Sequence, residues 1–157
     1  MRLVCNASPL IFLAKLDLIQ VLPRLTEELM IPAGVYDEIK GQNDAASEWI
    51  EKVKNEYIIE IDSIPKLIES WDLGKGETEV IAHAYSQQDL KVALDDRAAR
   101  NCAASMGVKV IGTIGLIILA KNKGYIEKPV EILKKLKKTG FRISDELFEH
   151  AIHLAGK

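Results

Sequence analysis

Short apolar runs alternate along the chain with longer segments in which apolar residues recur every three or four positions. The short runs predict buried strands, and the longer segments predict amphipathic helices. The predicted strands are Arg2 to Cys5, Leu29 to Ile31, Tyr57 to Ile61, Lys91 to Leu94 and Val108 to Ile111. Because strands and helices alternate, the pattern predicts an α/β fold with a mostly parallel sheet.

Local signals predict where the helices begin and end. Ser8 is predicted to cap the first helix, with Pro9 at its first position, where the missing N–H costs nothing. Asp44 is predicted to cap a later helix, and Gly107 to end another. The segment Ile64 to Trp71 has no clear pattern. The predicted helices are Leu10 to Leu16, Leu18 to Leu25, Ala33 to Gly41, Ala45 to Lys54, Gly76 to Ser86, Arg97 to Met106, Leu116 to Asn122, Val130 to Lys138 and Ser144 to Leu154.

The length and composition are those of one ordinary globular domain. We expect residues 1–157 to form this domain, with the terminal helices 130–155 packed on it. The two cysteines, Cys5 and Cys102, are far apart and show no metal-ligand spacing, which argues against a disulfide scaffold or a zinc site. No apolar run approaches the roughly 18 residues that span a bilayer. We therefore expect a cytoplasmic protein with no membrane partner.

The net charge of −2 provides no overall basic field for nucleic acid. One local exception is the run Lys134, Lys135, Lys137 and Lys138, which Arg142 follows. This run has two interpretations, a solvated helix face or a patch that binds phosphates. The sequence leaves both open.

Polar residues cluster where the predicted strands end. In open α/β sheets, ligands bind beyond the carboxyl ends of the strands. Carboxylates that gather there repel one another and usually need a cation, and Mg²⁺ or Mn²⁺ prefers such hard oxygen ligands. Each residue also has a simpler interpretation as a helix cap, a first-turn acid or a solvated side chain. The residues concerned are Asn6, Ser8, Asp37, Glu38, Glu77, Asp95 and Asp96.

Taken in order, these segments resemble the PIN-domain superfamily, and within it a branch of small prokaryotic, toxin-like proteins of unassigned function. The Asp-Asp-Arg-x-x-Arg and Gly-Lys-Gly-Glu-x-Glu segments are the most specific. The matching stretches are Asn6 to Ile11, Ile31 to Ile39, Leu73 to Glu79, Leu94 to Arg100 and Val110 to Gly115.

The resemblance implies a three-layer α/β/α sandwich with strand order 3-2-1-4-5. It also implies an Mg²⁺- or Mn²⁺-dependent endoribonuclease that acts on single-stranded or structured RNA, often as the toxin partner of an antitoxin protein. The first acid of the family falls on Asn6, the second on Glu38, the third on Glu77 and the fourth on Asp96. Asp95 lies beside the fourth acid as a further metal ligand.

Other residues of the matching stretches are candidates for substrate binding. Ser8 matches a polar residue near the first acid, and Lys75, Arg97 and Arg100 are candidates for phosphate contacts. Asn6 departs from the pattern, because an amide offers an oxygen to a metal but carries no charge and accepts no proton from water.

Two other functions compete with the ribonuclease. The first is a non-catalytic PIN-fold module that binds RNA or protein, which Asn6 favours. The second is a phosphoacceptor domain of the receiver type, but the first strand offers Asn6 where such a domain needs acids, and the last offers Thr113 where it needs a lysine.

We also expect a homodimer, which the resemblance implies as well. The apolar helices of the first half exceed what one sheet face needs, and surplus apolar surface usually marks an interface. The helices concerned are Leu10 to Leu16, Leu18 to Leu25 and the one carrying Trp49.

Overall fold

Five parallel strands form the centre of the computed structural model, which describes residues 1–157. They are β1 (Arg2–Cys5), β2 (Glu28–Pro32), β3 (Ile58–Ile59), β4 (Leu90–Ala93) and β5 (Lys109–Ile111). Their spatial order is 3-2-1-4-5, and every neighbouring pair is parallel. The predicted fold class and strand order are confirmed.

Ten helices connect and follow the strands. They are α1 (Ala7–Lys15), α2 (Val21–Leu25), α3 (Ala33–Ile39), α4 (Ala45–Tyr57), α5 (Lys66–Glu69), α6 (Lys75–Ser86), α7 (Arg97–Ser105), α8 (Thr113–Asn122), α9 (Pro129–Lys138) and α10 (Asp145–Ala155). Because crossovers between parallel strands bring helices over the sheet, the strands are covered and read as continuous apolar runs. Leu3, Val4 and Cys5 of β1 are accordingly fully buried.

The last three helices pack on the rest of the chain. α8, α9 and α10 contact one another, and α8 also contacts α1. Leu133 and Leu136 of α9 and Phe148 of α10 belong to the same buried cluster as the strands. None of the ten helices combines the length and the apolar character that a membrane span requires.

The structure corrects several predicted boundaries. The first helix begins at Ala7, so that Asn6 is its N-cap and Ser8 lies inside its first turn. The third strand is only two residues long, because Tyr57 continues α4. The helix predicted from Leu116 begins at Thr113, and the segment without a pattern contains the short helix α5. Asp44 caps α4 as predicted, accepting a hydrogen bond from the Ser47 N–H at 2.8 Å.

The apolar helix faces that led us to expect a homodimer are covered only in part within the chain. Leu10 and Leu22 are fully buried, whereas Leu16, Leu18, Leu25 and Trp49 are half-buried. The homodimer stays a prediction, for which light scattering on the purified protein is the measurement.

Candidate metal site

Four of the predicted site residues lie together at the carboxyl edge of the sheet. Asn6 follows β1, Glu38 lies in the last turn of α3, Glu77 in the first turn of α6, and Asp96 directly before α7. Parallel strands and the helices that begin after them place these positions at one edge, although they are separated by up to 90 residues.

Gly76 shows how closely two of these side chains approach. A Cβ atom at Gly76 would lie 3.0 Å from Oε1 of Glu38 and 3.3 Å from Oδ1 of Asn6. It would also lie 3.2 Å from a methyl group of Val35. The missing side chain of Gly76 therefore leaves open the space that the two oxygens face.

The local sequence removes one of the two N–H groups that could bind the amide oxygen of Asn6. An Asn at the N-cap usually accepts a hydrogen bond from the second or third helical N–H. The third residue of α1 is Pro9, which has no N–H. Asn6 makes no capping hydrogen bond, and its buried Oδ1 has no partner in the protein. An acceptor left unpaired in this way is costly unless a ligand satisfies it.

The electrostatics of Glu77 also reflect a gathering of carboxylates. Burial raises the pKa of Glu77, and the negative charges of Asp96 and Glu38, with a hydrogen bond to the Asp96 carboxyl, raise it further. Burial alone raises the pKa of Glu38. Oε2 of Glu77 is buried without a hydrogen-bond partner. These carboxylates are therefore close enough to disfavour one another's charged form.

Asp95 and Asp96 are neighbours with different contacts. Asp96 caps α7, where its Oδ2 accepts a hydrogen bond from the Ala99 N–H at 3.0 Å, and its other oxygen accepts none from a backbone N–H, a hydroxyl or a basic side chain. Asp95 accepts hydrogen bonds from the Thr113 N–H at 2.8 Å, the Thr113 hydroxyl at 2.6 Å and the Ser8 hydroxyl at 3.0 Å. Asp96 has the oxygen to spare for a metal, whereas Asp95 joins the ends of β1 and β4 to the start of α8.

The remaining predicted residues lie around this group. Lys75 is exposed, with its Nζ 3.9 Å from a carboxylate oxygen of Asp37. Arg97 and Arg100 are exposed on α7, and the Arg100 guanidinium reaches the turn at Gly112. Ser8 is also predicted to bind substrate, and its hydroxyl donates a hydrogen bond to Asp95. The phosphate roles of Lys75, Arg97 and Arg100 stay predictions.

Glu79 has a positioning contact that the sequence did not reveal. It is 8% exposed, and its Oε1 accepts a hydrogen bond from the Gly34 N–H at 3.0 Å. The contact joins the start of α3, which carries Glu38, to α6, which carries Glu77. A Cβ at Gly34 would lie 2.9 Å from Oε2 of Glu79. The sequence gives no signal for this pair, because Glu79 and Gly34 are 45 residues apart and neither belongs to a recognisable motif with the other.

We expect Gly34→Ala to destabilise the protein by about 1–3 kcal/mol, because the added methyl group would push the buried Glu79 carboxylate from its hydrogen bond. Gly74→Ala is the matched control, since its Cβ would meet only Glu77 Oε1 at an ordinary 3.5 Å. In Gly74→Ala, alanine is a poorer N-cap than glycine but reduces the conformational entropy of the unfolded chain, and these two effects on stability nearly cancel. Urea unfolding compares the two, and equal stabilities would contradict the close packing of α3 on α6.

The site fits a divalent ion that keeps part of its water shell. No group of three or more His, Cys, Asp and Glu side chains is arranged so that it could hold a metal on its own. The arrangement instead offers an amide oxygen of Asn6 and an oxygen of Glu77, both buried and unpaired, beside Glu38 and Asp96. Mg²⁺ binds through one or two carboxylates and retains several waters, so this set of oxygens suits it.

The parallel five-stranded sheet with acidic residues at its carboxyl edge is consistent with the nuclease-type fold of PIN domains. A family model described as a PIN domain matches residues 2–157, so the chain belongs to the PIN-domain family. PIN domains generally use divalent metal ions. No curated protein and no solved structure matches the chain.

Proposed function

We propose that this PIN domain is an Mg²⁺- or Mn²⁺-dependent endoribonuclease, the toxin-like partner of an antitoxin protein. The observation that carries the proposal is the meeting of Asn6, Glu38, Glu77 and Asp96, with two buried oxygens left unpaired. The test is cleavage of a labelled RNA pool in Mn²⁺ with and without a chelator. Cleavage that survives the chelator would contradict the metal dependence.

Each side chain has a role in this proposal. Glu77, Asp96, Glu38 and the Asn6 amide oxygen would hold the ion. When bound, the ion supplies a water of lowered pKa and a positive charge against the scissile phosphate. Asn6 cannot accept the proton of the attacking water.

The base would therefore be one of the carboxylates, Glu38, Glu77, Asp95 or Asp96. Burial raises the pKa of Glu38 and of Glu77, which favours these two as proton acceptors. Lys75, Arg97 and Arg100, all exposed near the same edge of the sheet, would hold the flanking phosphates.

A second candidate is a PIN-fold module that binds RNA or a protein without cutting. Asn6 favours it, since an amide in place of an acid removes one negative ligand and one base from the site. The two functions differ in one result. A module would bind Mn²⁺ and RNA with no cleavage under any metal condition.

We expect Mn²⁺ to raise the melting temperature of the natural protein, because an ion that binds only the native state stabilises it by mass action. The triple variant Glu38→Gln, Glu77→Gln, Asp96→Asn should lose this response. Without metal it should melt higher than the natural protein, since its neutral side chains no longer repel one another. An unchanged Mn²⁺ response would place the ion elsewhere.

The same variant shows how much Glu38 and Glu77 contribute to the pH dependence of stability. The folded-state pKa values of Glu38 and Glu77 lie above the ordinary value of 4.5, so the native state binds more protons than the unfolded state. Their contribution to stability is therefore greatest below 4.5 and declines as the pH rises through the raised values. Without metal, the melting temperature of the triple variant should gain on that of the natural protein over this interval. A constant difference would argue against the raised pKa values.

A further inference from the structure

The segment that runs from the end of α8 to Arg142 carries a charge opposite to that of the rest of the chain. Residues 121–142 contain eight lysines and arginines and two acids, a net charge of +6, whereas the remaining residues carry −8. The overall charge of −2 therefore hides a strongly polar distribution. Such a separation of charge is typical of proteins that contact a polyanion.

Within this segment, three lysines occupy the outward face of α9. Leu133 and Leu136 are buried, and Lys134, Lys135 and Lys138 lie on the opposite side of the helix, all exposed. They make no ion pair, whereas Lys137 pairs with Asp145 at 3.1 Å. We refer to Lys134, Lys135, Lys138 and the exposed Arg142 as the basic surface.

Helix stability alone does not explain the basic surface. Cations near a helix C-terminus interact favourably with its dipole, which accounts for one or two of the lysines. However, Lys134 and Lys138 are four residues apart, and Lys135 and Lys138 are three apart. Like charges at these spacings repel and destabilise a helix. The density of positive charge on α9 therefore destabilises the helix that carries it.

The basic surface lies within reach of the candidate metal site. Phe141, directly before Arg142, packs edge-to-face on Phe12, with 5.0 Å between the ring centroids. Phe12 lies in α1, about 8 Å along the helix axis from Ala7, the residue after Asn6. α9 also packs on α8, which begins at the site with Thr113. A single strand that crosses the basic surface can therefore continue into the site.

We infer that the basic surface binds the phosphate backbone of an RNA strand whose scissile phosphate enters the candidate metal site. This inference rests on the proposed function for the strand's destination. The site itself is acidic and repels phosphates before a metal binds. The positive charge of the basic surface would supply the sequence-independent affinity that brings the RNA strand to the candidate metal site.

The test is RNA binding under conditions that prevent cleavage. A labelled single-stranded RNA of about 20 nucleotides, longer than typical single-strand sites, is titrated with the full chain in a chelator, and anisotropy reports binding. The variant is Lys134→Gln, Lys135→Gln, Lys138→Gln. The matched control is Lys52→Gln, Lys66→Gln, Lys109→Gln, which changes the net charge equally at exposed, unpaired positions elsewhere. Lys and Gln have similar helix propensities, and melting temperatures verify folding.

We expect the basic-surface variant to bind RNA at least about tenfold more weakly and to reduce the slope of log affinity against log salt by about 2, from three lost phosphate contacts. The control should bind within about twofold of the natural protein. Equal weakening in both variants, or none in the first, would overturn the inference. It would also be overturned if polyglutamate, and not RNA, required the basic surface, since the partner would then be an acidic protein.

The outcomes separate this inference from the proposed ribonuclease. RNA binding through the basic surface with no cleavage in Mn²⁺ would support the surface and reject the enzyme. Metal-dependent cleavage with RNA binding unaffected by the three substitutions would support the enzyme and reject the surface.

Discussion

Asn6→Asp is expected to increase the cleavage of single-stranded RNA in Mn²⁺ by at least roughly tenfold, since changes even to the outer partners of metal ligands alter activity by about 10–100-fold. The substitution keeps the shape of the side chain and adds a hard anionic ligand, which tightens Mg²⁺ or Mn²⁺ binding. Oδ1 of Asn6 already faces the open space at Gly76 without a partner. The new carboxylate would therefore face the same open space as the amide oxygen that it replaces.

The same substitution should lower the melting temperature without metal, because a further charge joins Glu38, Glu77 and Asp96. Asp96→Asn in the Asn6→Asp background should then remove cleavage. Asn is as good an N-cap as Asp, so α7 keeps its cap and the loss reports on the site rather than on folding. Cleavage that Asn6→Asp leaves unchanged, in a protein that binds Mn²⁺, would contradict a role for residue 6 beside the metal.

The second large effect concerns Asp95, which we expect to be essential for stability. Asp95→Ala should reduce the free energy of unfolding by about 3–5 kcal/mol. The change leaves the N–H and hydroxyl of the fully buried Thr113 without an acceptor, and each such loss costs about 1–3 kcal/mol. The Ser8 hydroxyl loses its partner as well.

Isosteric variants of the two neighbouring aspartates provide the matched comparison. Asp95→Asn should still destabilise the protein by about 1–3 kcal/mol, because the hydrogen bonds from the Thr113 N–H and from the Thr113 and Ser8 hydroxyls lose the charge that strengthens them. Asp96→Asn should leave the metal-free protein as stable as before or more stable, since it relieves repulsion with Glu77. Urea unfolding measures both. The reverse ranking would mean that Asp95 serves the metal and Asp96 the fold.

The elements were predictable where local pattern and burial agree. β1 is a continuous apolar run that ends at a polar turn, and the structure confirms its bounds at Arg2 and Cys5. β3 was overestimated, because the β-branched and aromatic residues around Ile58 and Ile59 look like a longer strand, while Tyr57 extends α4 to stack on Trp49. That contact lies within α4, and a strand prediction from residue types alone fails here because β-propensity depends on the packing of the neighbouring residues.

The site was predictable only as a set of residues, not as a set of contacts. The family resemblance and the positions at strand ends predict that Asn6 and Asp96 lie close together. The capping rule assigned Ser8 to the start of α1, but its hydroxyl binds Asp95, 87 residues away in the sequence. The contact between Glu79 and Gly34 is equally distant from any local pattern. A side chain that could cap a nearby helix can instead bind a residue far away in the sequence, and rules based on local sequence do not detect such a partner.

The most direct test of the metal-dependent ribonuclease is one cleavage assay that compares the natural protein with a single variant. A labelled RNA pool is incubated with the natural protein in Mn²⁺, with the natural protein in Mn²⁺ and excess chelator, and with the Asp96→Asn variant in Mn²⁺. The account predicts cleavage in the first reaction and none in the other two. Cleavage that survives the chelator or the loss of the Asp96 carboxylate would contradict it, and so would an intact pool in all three reactions when the natural protein binds Mn²⁺.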